Sequence, residues 1–395
     1  MINSIVSPII RKFDADALLE KAAKKTGLND YGDSAFEAPF RLLIQAMNEE
    51  AQLSAKGRLM ARADLVKLLV NRLRMVRDRQ QISAIAQQPI SRPIFILGFP
   101  RTGSSFLHNL LAQDPQLQVP RYWESLYPSP PPAADLTDPS IQKRIASTES
   151  DFRWFNRINP KYKRIYQYGA QAAAECIALM ATSFESLRFA FTYRVPTYRQ
   201  WAEAQPLTGG YQFHKQYLQH LQLNRCNLNA PTLRWVLKAP AHLLHLQTLL
   251  ETYPDAVVVF THRHPSITMP SIASNTYTLR CAFSNAVDPL EVGQEELHRW
   301  QLGWMRSHSI RQQWPQAQRP YLDIYYDDLR RSPMAVIEAL YQQTGLSLTD
   351  QTREKMEQFV GRNPKDALGK HAYTLEQFGL SEPAIEQAFA SYLAL

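Results

Sequence analysis

Over residues 1–90 the apolar positions recur every three or four residues, which predicts helices. Asp16 is the expected cap of a first segment that stops at Gly27. A second helix is expected over 39–50, and a third over Ala55–Gln81, with leucines at helical spacing. The basic side of the third helix, Arg72, Arg74, Arg77 and Arg79, reads as a solvated face rather than a nucleic-acid surface. The pattern changes at "ISRPIFILGF", a short β-branched and aromatic run bounded by Pro93 and Pro100, which predicts a buried strand with a helix after it. Further strands are expected in "RWVLKAP" (234–240), "AVVVFTHRHP" (256–265) and "PYLDIYYDDL" (320–329), and helices over 242–253 and 334–343. Strands separated by helices of this length imply βαβ units and a parallel sheet covered on both faces, an α/β fold.

The expected organisation is a helical N-terminal extension over 1–90 and an α/β domain over 91–395 with an aromatic-rich helical insertion around 140–230. Residues 152–201 carry twelve of the chain's 42 aromatic side chains, which either form the core of that insertion or line an apolar pocket. A net charge of +8 points to an anionic partner without choosing among nucleic acid, membrane surface and phosphorylated small molecule. Three cysteines without CxxC spacing (Cys176, Cys226 and Cys281) argue against a disulfide framework or a zinc site and for a reducing, cytoplasmic setting. No apolar run approaches the ~18 residues of a membrane span, and the N-terminus lacks the basic start and cleavage site of a secretory signal.

The chemistry concentrates in "PIFILGFPRTGSSFLHNLLAQDP" (93–115). A strand ending in glycine, a tight turn and a helix opening on hydroxyl residues aim backbone N–H groups and a positive helix end at one point, making a P-loop-like anion site. The lysine that an NTPase places on the terminal phosphates is replaced by Ser104, and the strand "VVVFTHR" ends without the acidic residue a metal site needs. A cradle of Arg101, Thr102, Ser104 and Ser105 suits one compact phosphate with a group that leaves without metal help. Arg263, with Ser271 eight residues later, is a candidate grip for a second phosphate. A nucleotide bearing phosphates at both ends is the natural ligand of two such sites.

With these motifs, and with "LKAPAHLLHLQTLLETYPDAVVVFTHRHP", "YYDDLRRSP" and "GKHAYTLEQFGL", the chain resembles the P-loop-like sulfotransferases that use 3′-phosphoadenosine 5′-phosphosulfate (PAPS), in particular the group with a helical N-terminal extension. The resemblance implies a P-loop-NTPase-like parallel sheet flanked by helices. It also implies PAPS as sulfuryl donor, with Arg101, Thr102, Gly103, Ser104 and Ser105 on the 5′-phosphosulfate and Arg263 and Ser271 on the 3′-phosphate. Lys370, in "LGKHAY", corresponds to a basic segment that closes over the nucleotide in the family.

For the base that takes the acceptor's proton, the expectation is Glu124 in "VPRYWES", because tyrosylprotein sulfotransferases carry a catalytic glutamate at a similar position. His242 in "KAPAH" is the rival. Cytosolic sulfotransferases use a histidine two residues after the lysine, whereas His242 follows Lys238 by four. Lys238 itself, at a strand end, is placed to stabilise charge on the leaving phosphate. Glu175, a polar residue in the apolar run "AAECIALM", is either an acceptor contact or half of an ion pair with an arginine. No metal role is expected for His262 or His264, which lack acidic partners nearby in sequence. The expected activity is metal-independent transfer to a hydroxyl of a small or lipid-like acceptor, with no nucleic-acid partner. A catalytically silent nucleotide-binding protein and a P-loop kinase are the alternatives.

Overall fold

The computed structural model describes residues 12–162, 168–225, 234–314, 321–363 and 373–395. Five strands, β1 (Ile94–Gly98), β2 (Leu117–Gln118), β3 (Arg234–Lys238), β4 (Val257–His262) and β5 (Tyr321–Tyr325), form one sheet in the order β2-β3-β1-β4-β5. Every pairing is parallel, with Ile94 beside Val236 on one side and Val257 on the other. Alternation sends Phe95, Leu97, Leu237, Val258 and Phe260 into one helical layer, with Trp300 and Trp304. Ile94, Ile96, Val236, Val257 and Val259 face the opposite layer, with Leu107, Leu110 and Leu340. The central strands β1 and β4 are therefore buried along their whole length, as the unbroken apolar runs require, while β5 at the edge alternates between buried and exposed residues.

The extension consists of α1 (Ala15–Thr26), α2 (Glu37–Glu49) and α3 (Ala55–Gln81). Gly27 ends α1 at φ 70°, the left-handed value that favours glycine. The N-cap of α1 is Asp14, not Asp16; Asp14 accepts from the Ala17 amide, while Asp16 lies within the first turn and pairs with Arg41. The basic side of α3 is likewise not simply solvated. Arg72 is only 4% exposed; it donates to the carbonyls of Tyr31 and Asp33 and sits 4.0 Å over the Phe36 ring. Arg79 donates to Gln219 of the helix Thr208–Gln222. These guanidiniums pin the extension internally and to the body of the protein. Leu65 and Leu69 of α3 share a core with Phe184, Phe189 and Tyr198 from the aromatic stretch, so much of that stretch is packing.

The helix expected over 242–253 is a 3-10 run, Pro240–His245, followed by a short α-helix, Leu246–Thr252. All six residues of the 3-10 run are buried, so their apolar spacing carried no one-sided period from which to separate the two forms. Among the described residues no helix is long and apolar enough to cross a membrane.

Candidate active site

The loop after β1 owes its shape to three positive φ values. Gly98 has φ 141°, and a Cβ there would come within 2.3 Å of the Thr261 carbonyl on the neighbouring strand. Arg101 has φ 71°, a left-handed conformation at a non-glycine residue. Gly103, at φ 86°, is the N-cap of helix α4 (Ser104–Leu111). Inside the turn, the Thr102 hydroxyl donates to the Phe99 carbonyl at 2.7 Å and shares a 2.6 Å hydrogen bond with Thr261. That side chain is consumed in holding the loop on β4, leaving only the main chain of Thr102 to an anion. Ser104 and Ser105 open α4, whose positive end faces the same turn.

Lys238 closes β3 beside this loop. Its side chain is almost wholly buried, with Nζ donating to Ser105 Oγ at 3.1 Å and to Glu175 Oε1 at 2.5 Å. Behind it lies His108, whose ring is held to the Val236 carbonyl; burial, and secondarily the Lys238 charge, pushes its pKa down to about 3, so it stays neutral. Arg101, Ser104, Ser105, Lys238 and Glu175 all line one cavity of about 450 Å³. The rest of that wall is mainly apolar: Met60 and Ala63 from α3, Phe152, Phe155, Tyr162 and Tyr168 from the aromatic stretch, and Ile177, Phe191, Ile272 and Phe283. Four more charged residues on the wall neutralise one another. Arg188 holds Asp64 through two 2.8 Å contacts, and Lys67 holds Asp151 at 2.7 Å. Burial, then the Glu175 charge, raises the Tyr162 phenol above its ordinary pKa, while Arg101 pulls it the other way.

The sequence model described as the sulfotransferase family matches residues 93–350, a span that holds the loop, Lys238 and Glu175. The chain belongs to the sulfotransferase family. It is similar over its length to two solved mycobacterial structures. Sulfotransferase STF1 from Mycobacterium tuberculosis H37Rv is 31% identical, with a TM-score of 0.83, covering 96% of this chain and 100% of the other. Sulfotransferase STF9 from Mycobacterium avium is 26% identical, with a TM-score of 0.86, covering 97% of this chain and 98% of the other. Comparison with curated protein sequences gave no match. The sulfotransferase reading of the sequence, with its α/β sheet and helical N-terminus, is thereby borne out, and the family implies PAPS as donor.

The two bases expected for this sulfotransferase do not reach its cavity. Glu124 is 0% exposed; one carboxylate oxygen accepts from the Arg121 amide at 2.8 Å and the other is ion-paired with Arg225. It closes the first turn of the helix Tyr122–Leu126. A glutamate at the third helical position is one half of a capping box, whose usual hydroxyl residue at the N-cap is here Arg121. His242 is 1% exposed, with Nδ1 bonded to the Tyr211 hydroxyl at 2.7 Å and its ring edge against Phe95. Burial, reinforced by His214 and His245, drives its pKa well below the ordinary histidine value. Glu175, by contrast, lines the sulfotransferase cavity together with Asp64 and Asp151, and it is ion-paired with Lys238.

Of the residues expected to grip a second phosphate, Arg263 sits against the first loop, donating from Nη1 to the Arg101 carbonyl at 3.1 Å, with its guanidinium 3.9 Å over the Tyr326 ring. Ser271 is buried in the second turn of the helix Pro265–Arg280. Lys370 lies outside the described residues. Among the described residues no group of three or more His, Cys, Asp and Glu side chains is arranged to hold a metal ion. The contribution of α3 to the cavity went unread in the sequence. Its signal was the spacing of Met60, Ala63, Asp64 and Lys67, one stripe at helical intervals carrying both apolar and charged residues.

Proposed function

We propose that the chain transfers the sulfuryl group of PAPS to the hydroxyl of an uncharged, largely apolar acceptor held in the 450 Å³ cavity, with Glu175 as the base. The observation that carries this is the Glu175–Lys238–Ser105 cluster, which joins the cavity to the anion-binding loop. The loop amides with Arg101, Ser104 and Ser105 hold the 5′-phosphosulfate; Arg263 and Ser271 hold the 3′-phosphate. The acceptor oxygen attacks sulfur in line as the bond from sulfur to the bridging oxygen breaks. The electron pair of that bond stays on the 5′-phosphate, and the acceptor's proton passes to the Glu175 carboxylate. Lys238 lowers the barrier by stabilising the negative charge that grows on the departing oxygen. The apolar wall and its internally neutralised ion pairs favour an alcohol or phenol over an anionic polysaccharide.

Sulfur-labelled PAPS incubated with a panel of long-chain alcohols, phenols and anionic glycans tests the proposal. Label on the apolar hydroxyl compounds, with acceptor-dependent release of adenosine 3′,5′-bisphosphate, is the expected result. Transfer to the glycans alone, or nucleotide binding without transfer to any acceptor, refutes it.

A further inference from the structure

Arg263 leaves the sheet just after β4, and one hydroxyl holds its main chain there. The Arg263 N–H donates to Tyr392 Oη at 3.1 Å, and the same oxygen lies 3.3 Å from the Arg263 carbonyl and 3.1 Å from His262 Nδ1. Tyr392 belongs to the short helix Ala390–Leu393 and reaches this point across 129 positions of sequence. Its ring is wedged against Phe99 of the first loop and Trp304, with centroids 4.9 Å away in both cases.

The array continues on the other side of His262. Nε2 of the ring is 2.6 Å from Asp323 Oδ1 on β5, and Asp323 Oδ2 accepts from Arg311 at 2.8 Å. Burial raises the Asp323 carboxyl, but His262 and Arg311 more than offset this and hold it below its ordinary range, so it accepts from both. A carboxylate cannot donate, so Nε2 of His262 carries a proton towards Asp323, and the Tyr392 oxygen, which accepts from the Arg263 amide, has His262 Nδ1 and the Arg263 carbonyl within hydrogen-bond distance. The array thus links the Arg263 main chain to Arg311 through the side chains of Tyr392, His262 and Asp323.

We propose that Tyr392, backed by His262, Asp323 and Arg311, is a positioning residue for Arg263 and, through it, for the 3′-phosphate of the nucleotide. The inference rests on the reading that Arg263 meets that phosphate. A long side chain gives a sharp anion contact only if the backbone it springs from is fixed. Because Arg263 also touches the Arg101 carbonyl, the same hydroxyl helps set the distance between the two phosphate sites.

The test is Tyr392→Phe, which keeps the ring between Phe99 and Trp304 and removes only the hydroxyl. Calorimetric titrations compare adenosine 3′,5′-bisphosphate with adenosine 5′-phosphate, which lacks the group that Arg263 would hold. The expected result is a preference for the bisphosphate reduced about tenfold, the worth of one net hydrogen bond, with affinity for the monophosphate kept within about twofold. Asp323→Asn, at the other end of the array, should move the ratio in the same direction. An unchanged ratio in Tyr392→Phe, or equal weakening for both nucleotides, overturns the positioning role. Arg263→Ala separates the two levels: if it keeps the parent's preference, the assignment of Arg263 to the 3′-phosphate fails. If it loses the preference while Tyr392→Phe does not, only the role of Tyr392 fails.

Discussion

Glu175→Gln is the most direct probe of the proposed chemistry. The substitution keeps the shape of the side chain and one oxygen for the 2.5 Å contact with Lys238 Nζ, but removes the charge and the capacity to take a proton. Loss of a general base removes about 10²–10⁴-fold in rate, or about 3–5 kcal/mol of barrier. The effect on folding should be smaller. Lys238 stays buried and retains Ser105 and an amide oxygen, so the cost is about 1–3 kcal/mol, between losing one hydrogen bond and stranding a charge. Nucleotide affinity should hardly change, because the phosphate contacts come from the loop and from Arg263. The assay is acceptor-dependent release of adenosine 3′,5′-bisphosphate at saturating donor, with denaturant unfolding and nucleotide titration alongside it. A Glu175→Gln enzyme that is folded, binds nucleotide and turns over within about fivefold of the parent would falsify the assignment of the base.

Three further outcomes are expected. Glu124→Gln should cost about 2–4 kcal/mol of stability, since it leaves the Arg225 guanidinium without its buried carboxylate; the folded fraction should retain its turnover, and loss of turnover with full stability would return Glu124 to the chemistry. Ala63→Trp fills cavity space on α3 and should lower kcat/KM for bulky acceptors far more than for short ones, with nucleotide affinity unchanged; equal kcat/KM losses across acceptor sizes would argue that α3 does not touch the acceptor. His108, His214 and His245 are held neutral by burial, with pKa values lowered from 6.5 to about 3. The unfolded chain takes up protons on these groups first, so their stabilising effect is complete above pH 6.5 and is lost progressively as the pH falls towards 3. Urea unfolding at pH 5 against pH 7.5 should show a loss of roughly 2 kcal/mol for each histidine, and equal stability at the two values would contradict their buried neutrality.

The sheet was legible because four of its strands are contiguous β-branched or aromatic runs, and "GFPRTGSS" announces its turn through glycines that the backbone requires. The edge strand β2 escaped because it has two residues, too few to show a period. The same division applies to the site. Arg101, Ser104, Ser105 and Lys238 sit at strand and helix ends, where local pattern points to them. Glu175 meets Lys238 across 63 positions, and nothing in its own apolar surroundings names the partner. Glu124 was expected as the base from the likeness to tyrosylprotein sulfotransferases, yet its carboxylate is engaged by the Arg121 amide and by Arg225. Arg72 shows the reverse error, since a guanidinium on an apparently polar helix face proved to be a buried tie to two carbonyls.

The stripe of α3 in the cavity wall, together with the match that begins at residue 93, has an evolutionary consequence. Under the proposed function, the machinery that handles the donor sits on the sheet and its loops, whereas part of the surface that chooses the recipient sits on a helix encoded upstream. Exchanging that upstream segment between related enzymes should transplant a taste for one alcohol over another while leaving the sulfur chemistry where it was.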